Sequence, residues 1–333
     1  MIAKVGGGER PLGLPTIKDR VIQTAAKLVL EPIFEADMDD GAYGYRPKRS
    51  AADAVKKVHA ALIEGYTEVV DADLSKYFDK IPHDDLMRSI ALRIVDGSVL
   101  SLLKSWLQVP VQGDDLRMSG GKGNRLGTPQ GGVISPLLAN RYMNRFLRYW
   151  RQCDGERRFS AKLVNYADDF VILSKGKAQL ALAWTQGAMT RLKLEINETK
   201  TSIKNARAEQ FDFLGYRFGL MHNVRRQGRR YLGARASDKS MQKLKDTVGE
   251  LLHHRQSGPW SEIRDHLNRT LSGWRNYFHY GSVRKSYTAI NHHVSTKVRN
   301  FLQRRHKVPS RGTRQFSYRV IFDDYGVWKM TSR

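Results

Sequence analysis

The sequence predicts an α+β fold with two domains, a strand-and-helix domain over residues 1–235 and a helical domain over residues 236–333. Two β-branched, apolar runs end in clustered aspartates, a pattern typical of strands that deliver carboxylates to the edge of a sheet. From Ser237 onward, apolar residues recur instead with helical spacing. A length of 333 residues is sufficient for a hydrophobic core in each domain.

The first residues combine glycine and proline with basic side chains. The run over residues 4–15, which includes Lys4 and Arg10, is too rich in Gly and Pro for a regular element. It forms either a flexible tail or a loop whose cations and amide groups face a triphosphate. Residues 19–31 carry apolar side chains on one side and predict a helix. Ser50 predicts the N-cap of the next helix.

Aspartates stand at the ends of the predicted strands. In residues 67–79, a β-branched run delivers Asp71 and Asp73 to the end of a strand. In residues 161–173, two apolar runs flank Asp168 and Asp169, which predicts a hairpin with adjacent carboxylates at its tip. Such carboxylates can hold two divalent cations roughly 3.5–4 Å apart, which clamp the attacking and leaving oxygens of a phosphoryl transfer. In a strongly basic chain, this pattern indicates a nucleotidyl transferase that acts on nucleic acid.

Residues 127–140 are dense in Gly, Pro and Gln. Their first part, which contains Gln130, predicts a turn that lets the backbone approach a nucleotide. Ser135 as N-cap and Pro136 at the first helical position predict the helix that follows. An ordinary loop–helix junction is the alternative interpretation. Residues 119–127, just before this segment, are also rich in glycine, but they lack the spacing of a phosphate-binding P-loop. An ATPase is therefore not indicated.

Basic residues cluster at two places beyond the acidic hairpin. Residues 224–235 predict an arginine-rich β-hairpin, which is either a solvated surface or a contact for backbone phosphates. Helices are predicted over about 237–254, near Trp274 and over 286–305. Aromatic residues around Trp274 are either core residues or platforms for base stacking. The candidate nucleic-acid contacts are Arg225, Arg226, Arg229, Arg230, Arg304 and Arg305.

The composition favours a polyanionic partner. Lys and Arg total 57 against 33 Asp and Glu, which gives a formal charge of +24 and a pI near 10.1. Such an imbalance favours nucleic acid through counterion release, although a ribosomal-type basic protein has it as well. One cysteine, Cys153, excludes an internal disulfide and a cysteine-rich zinc site. The chain has neither an apolar run of about 18 residues nor a signal-peptide pattern, so we expect a cytoplasmic protein without a membrane partner.

In this order, the motifs resemble the sequence blocks of group II intron-type reverse transcriptases, over nearly the whole chain. The matching segments are residues 12–20, 43–47, 73–79, 127–140, 166–169, 194–201, 213–216 and, for the maturase or thumb domain, 267–278. A Tyr-x-Asp-Asp motif alone is a weak signal, whereas ordered blocks at these spacings are specific. The resemblance implies a right-hand polymerase with fingers and an antiparallel palm sheet, followed by an α-helical, maturase X-like thumb.

The resemblance also implies roles for individual residues. Asp73, Asp168 and Asp169 match the metal-binding triad, with the backbone carbonyl of Leu74 in the same shell. Two Mg²⁺ ions, for which Mn²⁺ is a possible substitute, would then assist attack of a primer 3′-OH on a nucleotide. Phe78 matches the residue that crowds a ribose 2′-OH. The other residues matched to nucleotide contacts are Lys4, Arg10, Arg46, Pro129, Gln130, Gly131 and Lys200.

The implied function is an RNA-directed DNA polymerase whose partners are an RNA template, structured intron RNA, a DNA primer or target and dNTPs. It would also serve as a maturase that binds its intron RNA. A splicing factor without polymerase activity is an alternative, but clustered carboxylates that serve no purpose would cost stability through repulsion. A domesticated reverse transcriptase in phage defence or CRISPR adaptation is another. Residues 127–140 and the basic helical domain argue against a palm-type nucleotide cyclase.

Overall fold

Two compact units make up the chain in the computed structural model, Met1–Asn205 and Ala206–Arg333. The structure describes residues 2–3, 9–10, 13–112, 118–119, 121, 123–223 and 229–332. The division between the units falls earlier than the expected boundary at 235. The reason is that the last three strands pack with the helices that follow them rather than with the preceding sheet.

The first unit contains most of the elements that the sequence predicts before residue 205. Its helices are α1 (Ile17–Glu35), α2 (Ala51–Ile63), α3 (Tyr77–Lys80), α4 (His83–Ala91), α5 (Gly97–Leu107), α6 (Ser135–Gln152), α7 (Gly155–Arg158) and α8 (Ala178–Arg191). Its strands are β1 (Ile2–Ala3), β2 (Glu9–Arg10), β3 (Glu68–Ala72), β4 (Val111–Gln112), β5 (Met118–Ser119), β6 (Ala161–Tyr166), β7 (Asp169–Ser174) and β8 (Ser202–Asn205).

A four-stranded antiparallel sheet in the order β6-β7-β3-β8 is the centre of this unit. Val70 of β3 and Ile172 of β7 are buried in one cluster with residues of α6 and α8, as the apolar runs predict. Phe146 of α6 packs on Phe170 of β7, with 5.3 Å between the ring centroids. The β6–β7 hairpin and the strand before Asp73 are therefore confirmed, and both are anchored in the core of the unit.

Helix α1 differs from its expected orientation. It is longer than residues 19–31, and it buries Gln23, Leu30 and Phe34. The apolar side that the sequence suggested is mostly exposed, with Val21 at 63% and Leu28 at 70%. Hydrophobic periodicity locates a helix, but here the buried stripe is set by the neighbours that α1 meets, and these are distant in sequence.

Helix α6 begins one residue earlier than expected. Ile134 occupies the N-cap, so Ser135 and Pro136 both lie in the first turn. The Ser135 hydroxyl donates a hydrogen bond to the carbonyl of Pro129 at 2.7 Å instead of capping the helix. Ser50, in contrast, forms the expected capping box with Asp53 at the start of α2.

The second unit combines a small sheet with helices. Its strands are β9 (Phe211–Phe213), β10 (Tyr216–Asn223) and β11 (Arg229–Ala236), in the antiparallel order β11-β10-β9. Its helices are α9 (Asp238–Leu251), α10 (Trp260–Tyr277), α11 (Val283–Arg305) and α12 (Tyr318–Asp323). The helices share one apolar core, which includes Leu267, Val294 and Phe316. No helix within the described ranges combines the length and apolar character needed to span a bilayer.

Candidate active site

The turn between β6 and β7 carries two of the predicted carboxylates. Tyr166 pairs with Asp169 at the end of the hairpin, so Asp168 lies in the turn and Asp169 begins β7. Ala167 has a φ of 58°, a conformation that few residues other than glycine adopt. Asn165, which is 2% exposed, stabilises this turn, since its Nδ2 donates to the carbonyls of Ala167 at 2.8 Å and Asp169 at 3.3 Å.

A neighbouring loop supports the same turn from outside. The amide of Tyr43 donates to the carbonyl of Asn165 at 2.8 Å, and the amide of Asn165 donates to the carbonyl of Gly41 at the same distance. A Cβ atom on Gly44 would lie 2.4 Å from the amide nitrogen of Ala167. Only glycine fits at this contact, so the segment that contains Gly44 holds the acidic turn through its backbone.

Asp73 reaches the same edge of the sheet from β3. Ala72 pairs with Phe170, so Asp73 and Asp169 occupy adjacent positions on neighbouring antiparallel strands. The Nζ atom of Lys200 lies 3.0 Å from Oδ2 of Asp73. The three carboxylates Asp73, Asp168 and Asp169 are hereafter called the acid edge.

Negative charge accumulates at the acid edge. Desolvation, followed by the charges of Asp168, Asp73 and Asp71, raises the pKa of Asp169 to about 7. The surface of Asp169 is exposed, so water screens part of this repulsion. Asp71, which is not part of the acid edge, pairs through its Oδ2 with the Nζ atom of Lys204 at 3.2 Å. The carboxylates gathered at the acid edge thus repel one another.

The donor set of the acid edge fits a hard divalent cation. Carboxylate oxygens are the ligands that Mg²⁺ prefers, and mutual repulsion among them is relieved by a bound cation. Within the described ranges, no group of three or more His, Cys, Asp or Glu side chains is gathered closely enough to form a metal site as it stands. Asp73 is engaged with Lys200, so a metal ion could bind this carboxylate only in exchange for the ammonium group.

Leu74 and Phe78, two further residues of the predicted site, follow Asp73 in the chain. Leu74 is buried and forms an isolated β-bridge with Ile196, which fixes its backbone beside the acid edge. Phe78 is half-buried and packs its ring edge-on against Tyr77, with 5.5 Å between the centroids. Its carbonyl accepts a hydrogen bond from the amide of Thr128 at 2.7 Å, so Phe78 is joined to the loop over residues 127–131, hereafter called the Gly-rich loop.

The Gly-rich loop packs closely on the residues that follow β3. Gly127 has a φ of 86°, and a Cβ atom there would lie 2.9 Å from the carbonyl oxygen of Asp79. The Nε2 atom of Gln130 donates to Oδ1 of Asp79 at 2.8 Å. Pro129 is half-buried, whereas Gly131 is exposed with a φ of 111°. The loop therefore lies against the segment that contains Phe78 and Asp79.

Arg46 requires a correction. It was expected to contact nucleotide, but its side chain is only 5% exposed and donates to groups within the protein. Its Nε and Nη2 atoms donate to the carboxylate of Glu35, and Nη1 donates to the carbonyls of Asp39 and Ala42. Its role in this structure is to hold the loop that supports the acidic turn.

Several predicted basic contacts lie outside the described residues. These are Lys4, Arg225 and Arg226, together with the side chains of Arg10 and Arg229. Arg230 is exposed on β11. Arg305 donates from Nη1 to the carbonyl of Gly258 at 2.8 Å, and Arg304 from Nη2 to that of Leu252 at 3.5 Å. Both arginines at the end of α11 are thus partly committed to contacts within the second unit.

The residues that position the acid edge could not be recognised from the sequence motifs. Asn165 and Gly44 were not singled out, although Asn165 precedes the Tyr-x-Asp-Asp motif directly. Asn140 was also missed; it is buried, and its Nδ2 donates to the carbonyl of Gly44 at 2.6 Å. A polar residue at the end of an otherwise apolar strand, as at Asn165, is the one local signal that could have indicated a positioning role.

Comparisons with known proteins agree with this geometry. Residues 2–218 match the family model described as reverse transcriptase (RNA-dependent DNA polymerase). Residues 241–318 match the model described as group II intron, maturase-specific domain. The first match covers the whole of the acid edge and the Gly-rich loop, and the second covers most of α9 to α11.

Similar proteins include curated relatives and one solved structure. Protein YkfC of Escherichia coli K12 is 35% identical over 251 residues, 65% of each chain. The group II intron-encoded protein LtrA of Lactococcus lactis subsp. cremoris is 28% identical over 281 residues, 66% of this chain and 45% of LtrA. The chain thus spans less than two thirds of the length of either relative. Telomerase from Candida albicans, solved with a fragment of telomeric RNA, superposes with a TM-score of 0.51 and 12% identity over 94% of this chain and 58% of its own, which shows a shared fold.

Proposed function

Because the chain belongs to the reverse transcriptase (RNA-dependent DNA polymerase) family and contains a group II intron maturase-specific domain, we propose that it is an RNA-directed DNA polymerase of the group II intron type. Its reaction would be attack of a primer 3′-OH on the α-phosphate of a dNTP. The observation that carries the proposal is the acid edge, where three aspartates lie at the same end of a buried antiparallel sheet.

The acid edge would hold two Mg²⁺ ions through Asp73, Asp168 and Asp169, with the carbonyl of Leu74 as a further ligand. When bound, such ions stabilise negative charge on the attacking and leaving oxygens of a phosphoryl transfer. The chain itself positions the carboxylates: Asn165 holds the acidic turn by hydrogen bonds, and the Gly44 segment supports it by close packing. Such fixed placement makes an electrostatic site effective, since no reorganisation is needed during the reaction.

The nucleotide would lie between the acid edge and the Gly-rich loop. Phe78 would exclude a ribose 2′-OH by its bulk, and Pro129, Gln130 and Gly131 would line the pocket. Lys200, whose ammonium group pairs with Asp73, would assist the departure of pyrophosphate. Lys4 and Arg10 would contact the triphosphate. Arg46 is not included, because its guanidinium is engaged with Glu35.

A second role as a maturase is supported by the match to the maturase-specific domain over residues 241–318. The partner would be structured intron RNA, bound by electrostatic attraction to a chain of charge +24. Arg225, Arg226, Arg229 and Arg230 on the β10–β11 segment and Arg304 and Arg305 at the end of α11 would contribute phosphate contacts. We place both activities in the cytoplasm.

Primer extension on an RNA template with dNTPs and Mg²⁺ tests the proposal. The unsubstituted chain is expected to make full-length DNA, and Asp168→Ala is expected to make none while binding the RNA with nearly unchanged affinity. Equal product from both proteins would contradict the assignment of the acid edge. No product from the unsubstituted chain, with RNA binding intact, would contradict the polymerase proposal and leave the maturase role alone.

A further inference from the structure

A basic cleft lies along α4 and α6 in the first unit, and it shares no residue with the acid edge or the Gly-rich turn over residues 127–131. The cleft has a volume of about 340 Å³. Arg141, Arg145 and Arg148 are spaced by four and three positions, so they occupy one face of α6. Arg88 of α4 forms the opposite wall. None of these arginines was singled out by the sequence motifs.

Arg145 carries the clearest sign that this cleft accepts a ligand. Its Nη1 atom is buried and, within the described part of the chain, no acceptor lies within hydrogen-bond distance of it. Its guanidinium lies over the ring of Tyr142, with 5.1 Å from Cζ to the centroid, so its orientation is held by stacking. A buried donor without an acceptor is costly. Arg145 also lines the cleft, so an anionic ligand there would meet a guanidinium whose orientation is already fixed.

The charges around the cleft are only partly balanced. Nη1 of Arg141 pairs with Asp37 at 3.0 Å, so this arginine is used within the protein. Asp85 pairs with Arg88 at 2.9 Å and with Lys193 at 2.8 Å. Although burial opposes the shift, Lys193, Arg88 and, more weakly, Arg145 lower the pKa of Asp85, which keeps it charged. Of the ion pairs in the described ranges, none joins Arg145 or Arg148 to a carboxylate, so both remain available to an anion.

The basic surface continues beyond this cleft. A second cavity, of about 490 Å³, lies between α4 and α5 and shares Arg88 with the first. Lys104 and Arg125 line it as well. Two adjoining cavities with basic residues along both suit a ligand with repeated negative charges better than a single small anion. The two cavities together are hereafter called the basic groove.

We propose that the basic groove binds the phosphodiester backbone of an RNA strand, as a contact separate from the acid edge. The choice of RNA rests on the proposed function, while the anionic chemistry rests on the groove itself. Phosphate oxygens would accept hydrogen bonds from Arg145 and Arg148, and Arg88 would link the two halves of the groove. Contacts of this kind position a nucleic acid without reading its sequence.

The test is a salt titration of RNA binding in the full chain, without dNTPs, with a fluorescently labelled single-stranded RNA. The double variant Arg145→Gln/Arg148→Gln is expected to weaken binding roughly tenfold and to reduce the slope of log K against log salt by about 0.7 for each lost contact. The variant Arg88→Gln/Arg148→Gln changes exposed side chains that can be replaced without unfolding, and it is expected to act in the same direction. The matched control is Arg157→Gln/Arg191→Gln, which removes two exposed charges elsewhere in the same unit.

Equal effects of the groove and control variants on affinity and slope would overturn the proposal, because binding would then follow net charge alone. Displacement of the RNA from the unsubstituted chain by inorganic pyrophosphate at equal phosphate concentration would also overturn it, in favour of a small-phosphate site. Asp168→Ala is expected to bind RNA with an unchanged slope. The binding titration contains no dNTPs, so it does not depend on polymerase activity. It therefore tests the basic groove even if the polymerase proposal fails.

Discussion

The acid edge of the first unit and the helical core of the second unit differ in how their polar groups are partnered. In the second unit, the Tyr287 hydroxyl donates to the carbonyl of Phe278 at 2.9 Å, and Asn291 exchanges two hydrogen bonds with the backbone of Met330. At the acid edge, like charges are held together, and the pKa of Asp169 is raised to about 7. Paired groups such as Asn291 stabilise the fold, whereas groups that repel one another indicate a ligand that the protein is built to receive.

The cost of that arrangement is carried by the backbone around the acid edge. Ala167 adopts a positive φ, and Gly44 approaches its amide too closely for any side chain. The turn before α9, in contrast, is an ordinary N-cap in which the hydroxyl of Ser237 accepts from the amide of Ser240. Strain at a site that also concentrates charge is expected where function, rather than stability, has set the structure.

Removal of a paired carboxylate should give the largest effect on stability. Asp37 bonds to Arg93 and to Arg141, which is 2% exposed. Asp37→Asn leaves the Arg141 charge uncompensated, so we expect a loss of about 3–5 kcal/mol in the free energy of unfolding, measured by urea titration. Asp323→Asn in the second unit breaks only an exposed pair and should change stability by less than about 0.5 kcal/mol. Equal losses of stability in the two variants would show that the buried ion pair contributes no more than the exposed one.

The same carboxylate predicts a pH dependence. Hydrogen bonds from Arg93, together with those from Arg141, lower the pKa of Asp37 below its usual value. A lowered folded-state pKa stabilises the protein above the unfolded pKa, near 3.9, and this contribution is lost as pH falls through the folded-state value. Unfolding measured from pH 6 downward should therefore show a steeper loss below about pH 4 in the unsubstituted chain than in Asp37→Asn. The same loss of stability below about pH 4 in both proteins would show that this ion pair does not contribute to the pH dependence.

Addition of one methyl group to Gly44 should break the acid edge. In Gly44→Ala, the new Cβ would lie 2.4 Å from the Ala167 amide, so the acidic turn must shift. We expect a loss of about 1–3 kcal/mol in stability and roughly 100-fold in primer extension, because small misplacements of catalytic groups are costly. Gly273→Ala on α10 meets nothing within 4 Å and should stabilise the protein by up to about 1 kcal/mol. Normal primer extension by Gly44→Ala would contradict the supporting role of the loop.

Phe78 tests whether the pocket beside the acid edge selects the sugar. Phe78→Ala removes the half-buried ring and should lower the ratio of kcat/KM for dNTPs over ribonucleotides about tenfold or more, whereas Phe78→Tyr keeps the bulk and should keep the ratio. Single-nucleotide incorporation kinetics measure this ratio. An unchanged ratio in Phe78→Ala would show that other residues select dNTPs over ribonucleotides.

The smallest expected effect is in the second unit. Tyr216 is buried, and its hydroxyl donates to the carbonyl of Tyr277 at 2.6 Å. Tyr216→Phe removes this hydrogen bond and should cost about 1 kcal/mol in thermal or urea unfolding. Nucleotide addition on a bound primer–template should remain unchanged. A large loss of catalysis with little change in stability would show that this unit contributes to chemistry and not only to binding.

Local patterns were sufficient to predict the elements of the acid edge, because a strand followed by a turn and Asp168–Asp169 is encoded within a few residues. The supports of that edge were not predictable in the same way. Gly44 meets Ala167 across more than a hundred residues of sequence, and nothing local marks Gly44 as a contact. Arg46 resembled a free cation until tertiary structure placed Glu35 beside it. Local sequence thus indicates the secondary-structure elements, whereas contacts between segments that are distant in the chain become visible only in the structure.

The most direct test of the central claim compares two aspartates on one strand. Asp71 and Asp73 lie two residues apart at the end of β3, but Asp71 pairs with Lys204, whereas Asp73 belongs to the acid edge. Primer extension on an RNA template should be abolished in Asp73→Asn and reduced less than about tenfold in Asp71→Asn. Activity that survives in Asp73→Asn, or that is lost equally in both variants, would contradict the account.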